Sequence, residues 1–406
     1  MRVNESTSLF DHVDLYPGDP ILSLIGIFHD DQRHPKVNLG VGLYYDADGD
    51  IPLLDCVRAA ETALVATPRT RSYLPVEGAE PYRRAVQDLV FGAQHEAVTG
   101  GRIATVQSIG GSGALKVGAD FLRRYFPGSD LWVTDPTWEN HIALFEGAGF
   151  TVRSHPYYDP ATRGLDFPAM IATLAELPRH AIVVMHGCCH NPTGVDLTPG
   201  QWQQVNAVAI ERELIPFIDL AYQGFGEGTI EDAFAVRAMA DAGLTFLVAN
   251  SFAKSMSFYG ERCGALSVVC GSQEEAERVL GQLKLGVRTI YSSPPTHGAM
   301  VVTAVLTDAT LRAQWEAELD AMRERIARMR TVLHDALAAA MPCRDFAYLC
   351  EQRGMFSYTG LTPDQVDRLR AEHAVYLLRS GRMCVAGINE HNVAHVVAAM
   401  VAVLDG

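Results

Sequence analysis

The stretch NSFAKSMSFYGERCG, residues 250–264, sets Lys254 among small side chains, with Ser251 before it and Arg262 after it. It follows TFLVAN, which reads as a buried strand. A lysine in an apolar pocket has a depressed pKa and can serve as a nucleophile or Schiff-base amine; the plain alternative is a solvated lysine on a loop. Asp219 poses the same problem with the opposite sign. It lies inside the apolar run FIDLAYQGF, with Tyr222 three residues on, and a buried carboxylate is costly unless a cation or donor meets it. A structural ion pair or a cap would also satisfy it. GGSGAL at 110–115 joins a predicted strand to a predicted helix. Such a junction can cradle an anion on free N–H groups or simply make a tight turn. Its spacing is not G-x-G-x-x-G, so a dinucleotide is not indicated. At 186–194, His186, Cys188, Cys189 and His190 crowd together. Adjacent cysteines rarely both reach one tetrahedral ion and no usual zinc spacing appears, so the preferred reading is an Asn-Pro turn presenting Asn191, with no metal.

These side chains need a frame. The runs IATVQSIGG, DLWVTDP, AIVVMHGCCHNPTG, LIPFIDLAYQGF, TFLVANSF and GALSVVCG are mostly continuous apolar stretches, the mark of strands covered on both faces. Helical patterns separate many of them; Leu115, Ala119, Leu122 and Phe126 form one apolar stripe. The alternation predicts an α/β fold with a mostly parallel sheet, whose sites form at strand ends. From residue 311, LRAQWEAELDAMRERIARMRTVLHDALAAAM predicts a helix of about 30 residues bridging two domains. GMFSYTG and RMCVAG then read as short strands, and the first 45 residues, with the turn signals YPGDP and LGVG, are expected to join them in a smaller domain.

The composition sets limits. The chain has 406 residues, 48% hydrophobic and 20% charged, as expected for a globular protein of two domains. A net charge of −15 argues against nucleic acid or an anionic membrane as the main partner. MRVNESTSLF lacks the apolar core of a signal peptide, no run approaches the ~18 apolar residues of a membrane span, and eight cysteines in so long a chain do not make a disulfide framework. A cytoplasmic location is expected. An anion cradle, a buried Asp, an Asn, a Tyr, a Lys and an Arg at sheet ends match the needs of pyridoxal phosphate: a helix start and Arg for its phosphate, a lysine for its aldehyde, a carboxylate for its ring nitrogen. A non-catalytic phosphate-binding protein is the alternative of another class, and it would need neither Lys254 nor Asp219.

VNLGVGLY, GGSGAL, DPTWENH, HGCCHNPTG, DLAYQGF, NSFAKSMSFYGERCG, YSSPP and SGRMCVAG occur in this order. Over nearly its full length the chain thereby resembles the class-I pyridoxal-phosphate aminotransferases of the aspartate and aromatic-amino-acid group. YLPVEG, GGSGALKVGADFLRRYFP, GMFSYTGL and SGRMCVAG look most like the bacterial aromatic-amino-acid (tyrosine) branch. The resemblance implies fold type I: a large domain with a mostly parallel seven-stranded sheet between helices, over 46–315, and a smaller α/β domain from 1–45 and 316–406. It implies transfer of the amino group of tyrosine, phenylalanine and aspartate to 2-oxoglutarate, in a ping-pong cycle through pyridoxamine phosphate; a dedicated aspartate aminotransferase is the alternative.

Carried onto this sequence, the family's roles make Lys254 the amine that binds the cofactor and moves the proton, and Asp219 the partner of the ring nitrogen. Tyr222 and Asn191 would bond the phenolic oxygen, Trp138 would pack on the ring, and Gly111, Ser112, Ser251 and Arg262 would hold the phosphate. Arg382 would clamp the substrate α-carboxylate, with Gly42 against the substrate and Leu43 adding apolar wall. Tyr73 and Arg288 would reach the neighbouring subunit's site in a homodimer, Tyr73 toward the phosphate and Arg288 toward a second carboxylate. Arg288 would face inward for acidic substrates and turn out for aromatic ones. Two positions depart from the family's pattern: Ala253 stands where serine is usual, removing one phosphate hydrogen bond, and Ile290 stands where asparagine is usual, near Arg288.

Overall fold

The computed structural model describes residues 8–16, 18–19 and 21–405; positions 1–7, and Pro17 and Pro20 of the YPGDP turn signal, lie outside them. Seven strands form the central sheet: β1 (Ile103–Ile109), β2 (Leu131–Asp135), β3 (Val152–Pro156), β4 (Ile182–His186), β5 (Ile215–Leu220), β6 (Phe246–Ser251) and β7 (Cys263–Val269). Their order across the sheet is β1-β7-β6-β5-β4-β2-β3. Every neighbouring pair is parallel except those of β7, which runs antiparallel to both β1 and β6. The reversal has a local cause. A parallel connection needs a long crossover, usually helical, and only the helix-free segment 252–262 joins β6 to β7.

The continuous apolar runs follow from covering both faces. Val184, Phe217, Leu247 and Leu266 point into one apolar cluster, and their chain neighbours Val183, Ile218, Val248 and Ala265 into the other, as the two-residue strand period requires. Helix α1 (Gly110–Tyr125) packs Leu115, Ala119 and Leu122 into the first cluster. Helix α2 (Glu139–Glu146) lies beside it and contributes Phe145. Helix α3 (Gln273–Ile290) adds Leu283 and Val287. The opposite face is covered by helices such as Pro199–Glu211, through Trp202 and Val205.

The predicted long helix is α4 (Ala309–Ala340). Its first half meets the segment that carries Lys254, since Trp315 Nε1 donates to the carbonyl of Ser255 at 2.7 Å. Its second half meets the C-terminal elements, where Arg330 donates to the carbonyls of Leu349 and Gly354. The N-terminal segment packs on the same C-terminal elements: Val37–Asn38 pairs in parallel with Val375–Tyr376, and Arg33 donates to the carbonyls of Arg370 and Ala371. Arg382–Cys384 pairs antiparallel with Phe356–Tyr358. All eight cysteines are free.

Candidate active site

The C-terminal ends of the parallel strands open on a cavity of ≈ 220 Å³. Because β7 runs the other way, the residue before its first, Arg262, reaches the same edge. Gly42, Gly111, Ser112, Trp138, Asn191, Asp219, Tyr222, Ser251, Lys254, Arg262 and Arg382 all line this cavity, together with Ala253. Tyr73 and Arg288 do not. Tyr73 is 92% exposed, and Arg288, near the end of α3, lies on the surface and donates to Ser292 Oγ.

At one end of the cavity the groups suit an anion. Helix α1 begins at Gly110 directly after β1, so its first N–H groups lack helical partners. Gly110 has φ +71°, and a Cβ there would lie 2.5 Å from Arg262 Nη2, so only glycine lets the guanidinium approach the helix start. Arg262 itself has φ +54° and is held by a bond from Nη1 to the carbonyl of Tyr259 at 2.9 Å. Ser251 Oγ accepts from the Ala253 N–H at 3.2 Å, which leaves its hydroxyl hydrogen free to turn toward a ligand.

Asp219, on β5 and 4% exposed, carries the opposite potential. Its Oδ2 accepts from His141 Nε2 at 3.0 Å, and Thr137 Oγ1 lies 2.8 Å from the other ring nitrogen of His141. Its Oδ1 is buried with no hydrogen-bond partner among the described residues, and so is able to accept a ligand N–H. Burial pushes this carboxyl up, but the His141 bond and the neighbouring positive charges outweigh it, and the net displacement is downward. It stays ionised in a site that would otherwise neutralise it.

Lys254 follows β6 in a turn, with Nζ 5.0 Å from the centre of the Tyr222 ring. Burial lowers its pKa to about 8, helped by Arg262 and Arg382 and opposed by Asp219. A sizeable fraction of neutral, nucleophilic amine is therefore present near neutral pH. Burial holds the Tyr222 phenol firmly protonated, and its oxygen accepts from Asn191 Nδ2 at 3.4 Å, which sets the amide and the hydroxyl side by side on the cavity wall.

Arg382 is 1% exposed. Nη1 donates to Asn191 Oδ1 at 3.1 Å and Nη2 to the carbonyl of Gly40 at 2.8 Å, while Nε is buried without a partner among the described residues. Glu139 and Asp19 add negative potential, and a buried guanidinium with an unused N–H is suited to receive a carboxylate. The floor below it is Phe356, whose ring centre is 4.5 Å from the guanidinium carbon. A Cβ on Gly42 would come 2.7 Å from this ring, so that glycine is required by close approach.

Sequence reasoning missed His141 and Phe356, and it weighed His186 only as part of a metal reading, whereas His186 lines the cavity. His141 lies three residues after Trp138, one helical turn on, which was the available signal. His186, at the end of β4, lies tilted against His141 and edge-on to His190, so the histidines form a buried ring cluster. The donor atoms of Cys188, Cys189 and Asp232 lie within 4.8 Å of one another. Both Asp232 oxygens already accept backbone N–H groups, from Gly224, Gly226 and Glu227.

Residues 34–400 match the model of a family described as aminotransferase class I and II. The chain is 58% identical to a tyrosine aminotransferase of Klebsiella pneumoniae, over 98% of this chain and 100% of that one. It is 51% identical to an aspartate aminotransferase of Pseudomonas aeruginosa, with the same coverage. Among solved structures, an aromatic-amino-acid aminotransferase of Burkholderia pseudomallei, covalently bound to pyridoxal phosphate, superposes with a TM-score of 0.96 at 52% identity, over 98% of this chain and 100% of that one.

Proposed function

The chain belongs to the class I and II aminotransferase family, and from that premise we propose that it moves the amino group of tyrosine, phenylalanine and aspartate to 2-oxoglutarate. Its cofactor is pyridoxal phosphate, and the cavity suits that molecule: an anion cradle at one end, an orphaned carboxylate oxygen deep inside, and a lysine between them. The juxtaposition of Lys254, with its lowered pKa, and the unpartnered Asp219 Oδ1 carries the reading, since a simple phosphate binder has use for neither.

When bound, the cofactor supplies an electron sink for the charge left when a proton leaves the substrate Cα. Gly111, Ser112, Ser251 and Arg262 would hold its phosphate. Asp219 Oδ1, kept ionised by His141, would accept from its ring nitrogen. Asn191 and Tyr222 would hydrogen-bond its phenolic oxygen, and Trp138 would pack against its ring. Lys254 would hold its aldehyde carbon and, as a free amine, take the Cα proton. Arg382 fixes the α-carboxylate and so orients the Cα–H bond toward that amine.

A homodimer completes the site. Tyr73 and Arg288 lie outside their own chain's cavity, and we assign them to the partner's: Tyr73 to the phosphate, Arg288 to the distal carboxylate of an acidic substrate. We divide the chain into 1–45 with 316–406 as the small domain and 46–315 as the large one, with α4 packing on both. Among the described residues no helix is long and apolar enough to cross a membrane, and we place the enzyme in the cytoplasm.

The test is turnover of tyrosine, phenylalanine and aspartate with 2-oxoglutarate as acceptor, together with an absorbance scan of the purified protein. Comparable turnover of aromatic and acidic donors supports the reading. Aspartate turnover alone would make the enzyme a dedicated aspartate aminotransferase, and no cofactor band after adding pyridoxal phosphate would overturn the assignment.

A further inference from the structure

Arg330, on α4, is 3% exposed and forms no ion pair among the described residues. Among the described residues, all four hydrogen bonds of its guanidinium go to one segment, residues 349–357: to the carbonyls of Leu349 at 3.0 Å, Gly354 at 2.9 Å and Phe356, and to Ser357 Oγ at 3.0 Å. A buried guanidinium without a counter-charge is expensive, and an apolar side chain would fill the same space. What the guanidinium adds is fixed geometry, because its donors form a rigid fork.

The segment it fixes touches the carboxylate receptor on two sides. Phe356 lies under the Arg382 guanidinium and edge-on to Tyr222, at 5.7 Å between ring centres. The segment also supports the loop that carries Asn191. Arg353 N–H donates to the carbonyl of Gly194 at 2.7 Å, and Gly354 sits so close to Cys189 that a Cβ on it would lie 2.4 Å from the cysteine's own Cβ. Asn191 in turn accepts from Arg382 Nη1. Cys189 thus acts as packing surface between this segment and the loop that carries Asn191.

We propose that Arg330 is a positioning residue for substrate binding: by clamping residues 349–357 it holds Phe356 and the Asn191 loop, and through them the orientation of Arg382 toward the α-carboxylate. The proposal rests on the reading of Arg382 as that receptor.

Arg330→Lys keeps the charge and loses the fork. In the holoenzyme, KM for tyrosine, aspartate and 2-oxoglutarate is expected to rise together by about tenfold, with kcat within about threefold of wild type, the pattern of lost uniform binding. The dissociation constant of 3-phenylpropionate, an unreactive monocarboxylate read by its effect on the visible spectrum, should rise by a similar factor of about ten, with cofactor retention unchanged. Ser357→Ala, which removes one of the four acceptors, should give a smaller rise of about two- to threefold in the same constants. It decides alone if Arg330→Lys does not fold. Values indistinguishable from wild type overturn the proposal. So does a loss of kcat and cofactor retention with KM unchanged, the mark of a merely structural role. Failure of the underlying functional reading looks different: wild type itself would show neither transamination nor a cofactor band.

Discussion

Replacing Lys254 by methionine, which keeps the stem and removes the amine, should stabilise the cofactor-free protein. In the unfolded chain the amine holds its proton up to its ordinary 10.5; in the fold, burial and the charges of Arg262 and Arg382 bring this down to about 8. Between those values the unfolded state binds more protons than the folded one, so wild-type stability rises with pH. Below pH 8 both states are protonated and the fold carries the full cost, ~3 kcal/mol for a lowering of this size. The cavity admits water, which reduces the expected figure to about 2–3 kcal/mol. Cofactor-free Lys254→Met should therefore exceed cofactor-free wild type by about 2–3 kcal/mol at pH 7, and the gap should shrink by more than half by about pH 9.5. Urea unfolding of both proteins, at matched subunit concentration across that range, measures it. A constant gap would show that the amine titrates in the fold as it does in the unfolded chain, and a gap that widens with pH would show that the fold raises its pKa; either would refute the electrostatic account of the site.

Asp219→Asn replaces the acceptor facing the ring nitrogen with a neutral group, and kcat should fall by about 10²–10³ with cofactor still bound, measured by steady-state turnover beside the absorbance of the purified variant. Arg288→Leu should weaken kcat/KM for aspartate by at least about 30-fold and for tyrosine by less than about threefold; equal losses would refute its role as a carboxylate receptor that swings aside. Ala253→Ser puts a hydroxyl on a residue that lines the cavity beside Ser251. It should slow release of pyridoxal phosphate by about fivefold, or ~1 kcal/mol, and tighten binding of inorganic phosphate to the cofactor-free protein. An unchanged release rate would mean that position 253 does not face the phosphate.

Six of the seven sheet strands are legible in the chain as apolar runs, because a strand covered on both faces has no polar side to interrupt it. The seventh, β3, is VRSHP; it lies at the edge and only His155 is buried, so its residues carry no apolar signature. The antiparallel course of β7 was readable only from the missing helix between residues 251 and 263, a weaker cue than composition. For the site, Lys254 and Asp219 stood out because charge inside an apolar run demands a reason. His141 did not, since a histidine on a short amphipathic helix looks ordinary until the fold brings a carboxylate to 3.0 Å. Arg330 and Phe356 were equally silent: their meaning depends on contacts between α4, the 349–357 segment and the end of β4, which no local pattern encodes.

β1 leads the chain into the phosphate-holding turn, yet it stands at the margin of the sheet, and among the described residues its one strand partner is β7, with Ile109 opposite Cys263 and Ile103 opposite Val269. β7 is therefore the keystone of the cradle: it pairs on one side with the strand that runs into Gly111 and Ser112, on the other with the strand that ends at Ser251, and it begins just after Arg262. Three groups drawn from stretches of chain far apart in sequence share one anion because a single reversed strand stands between them.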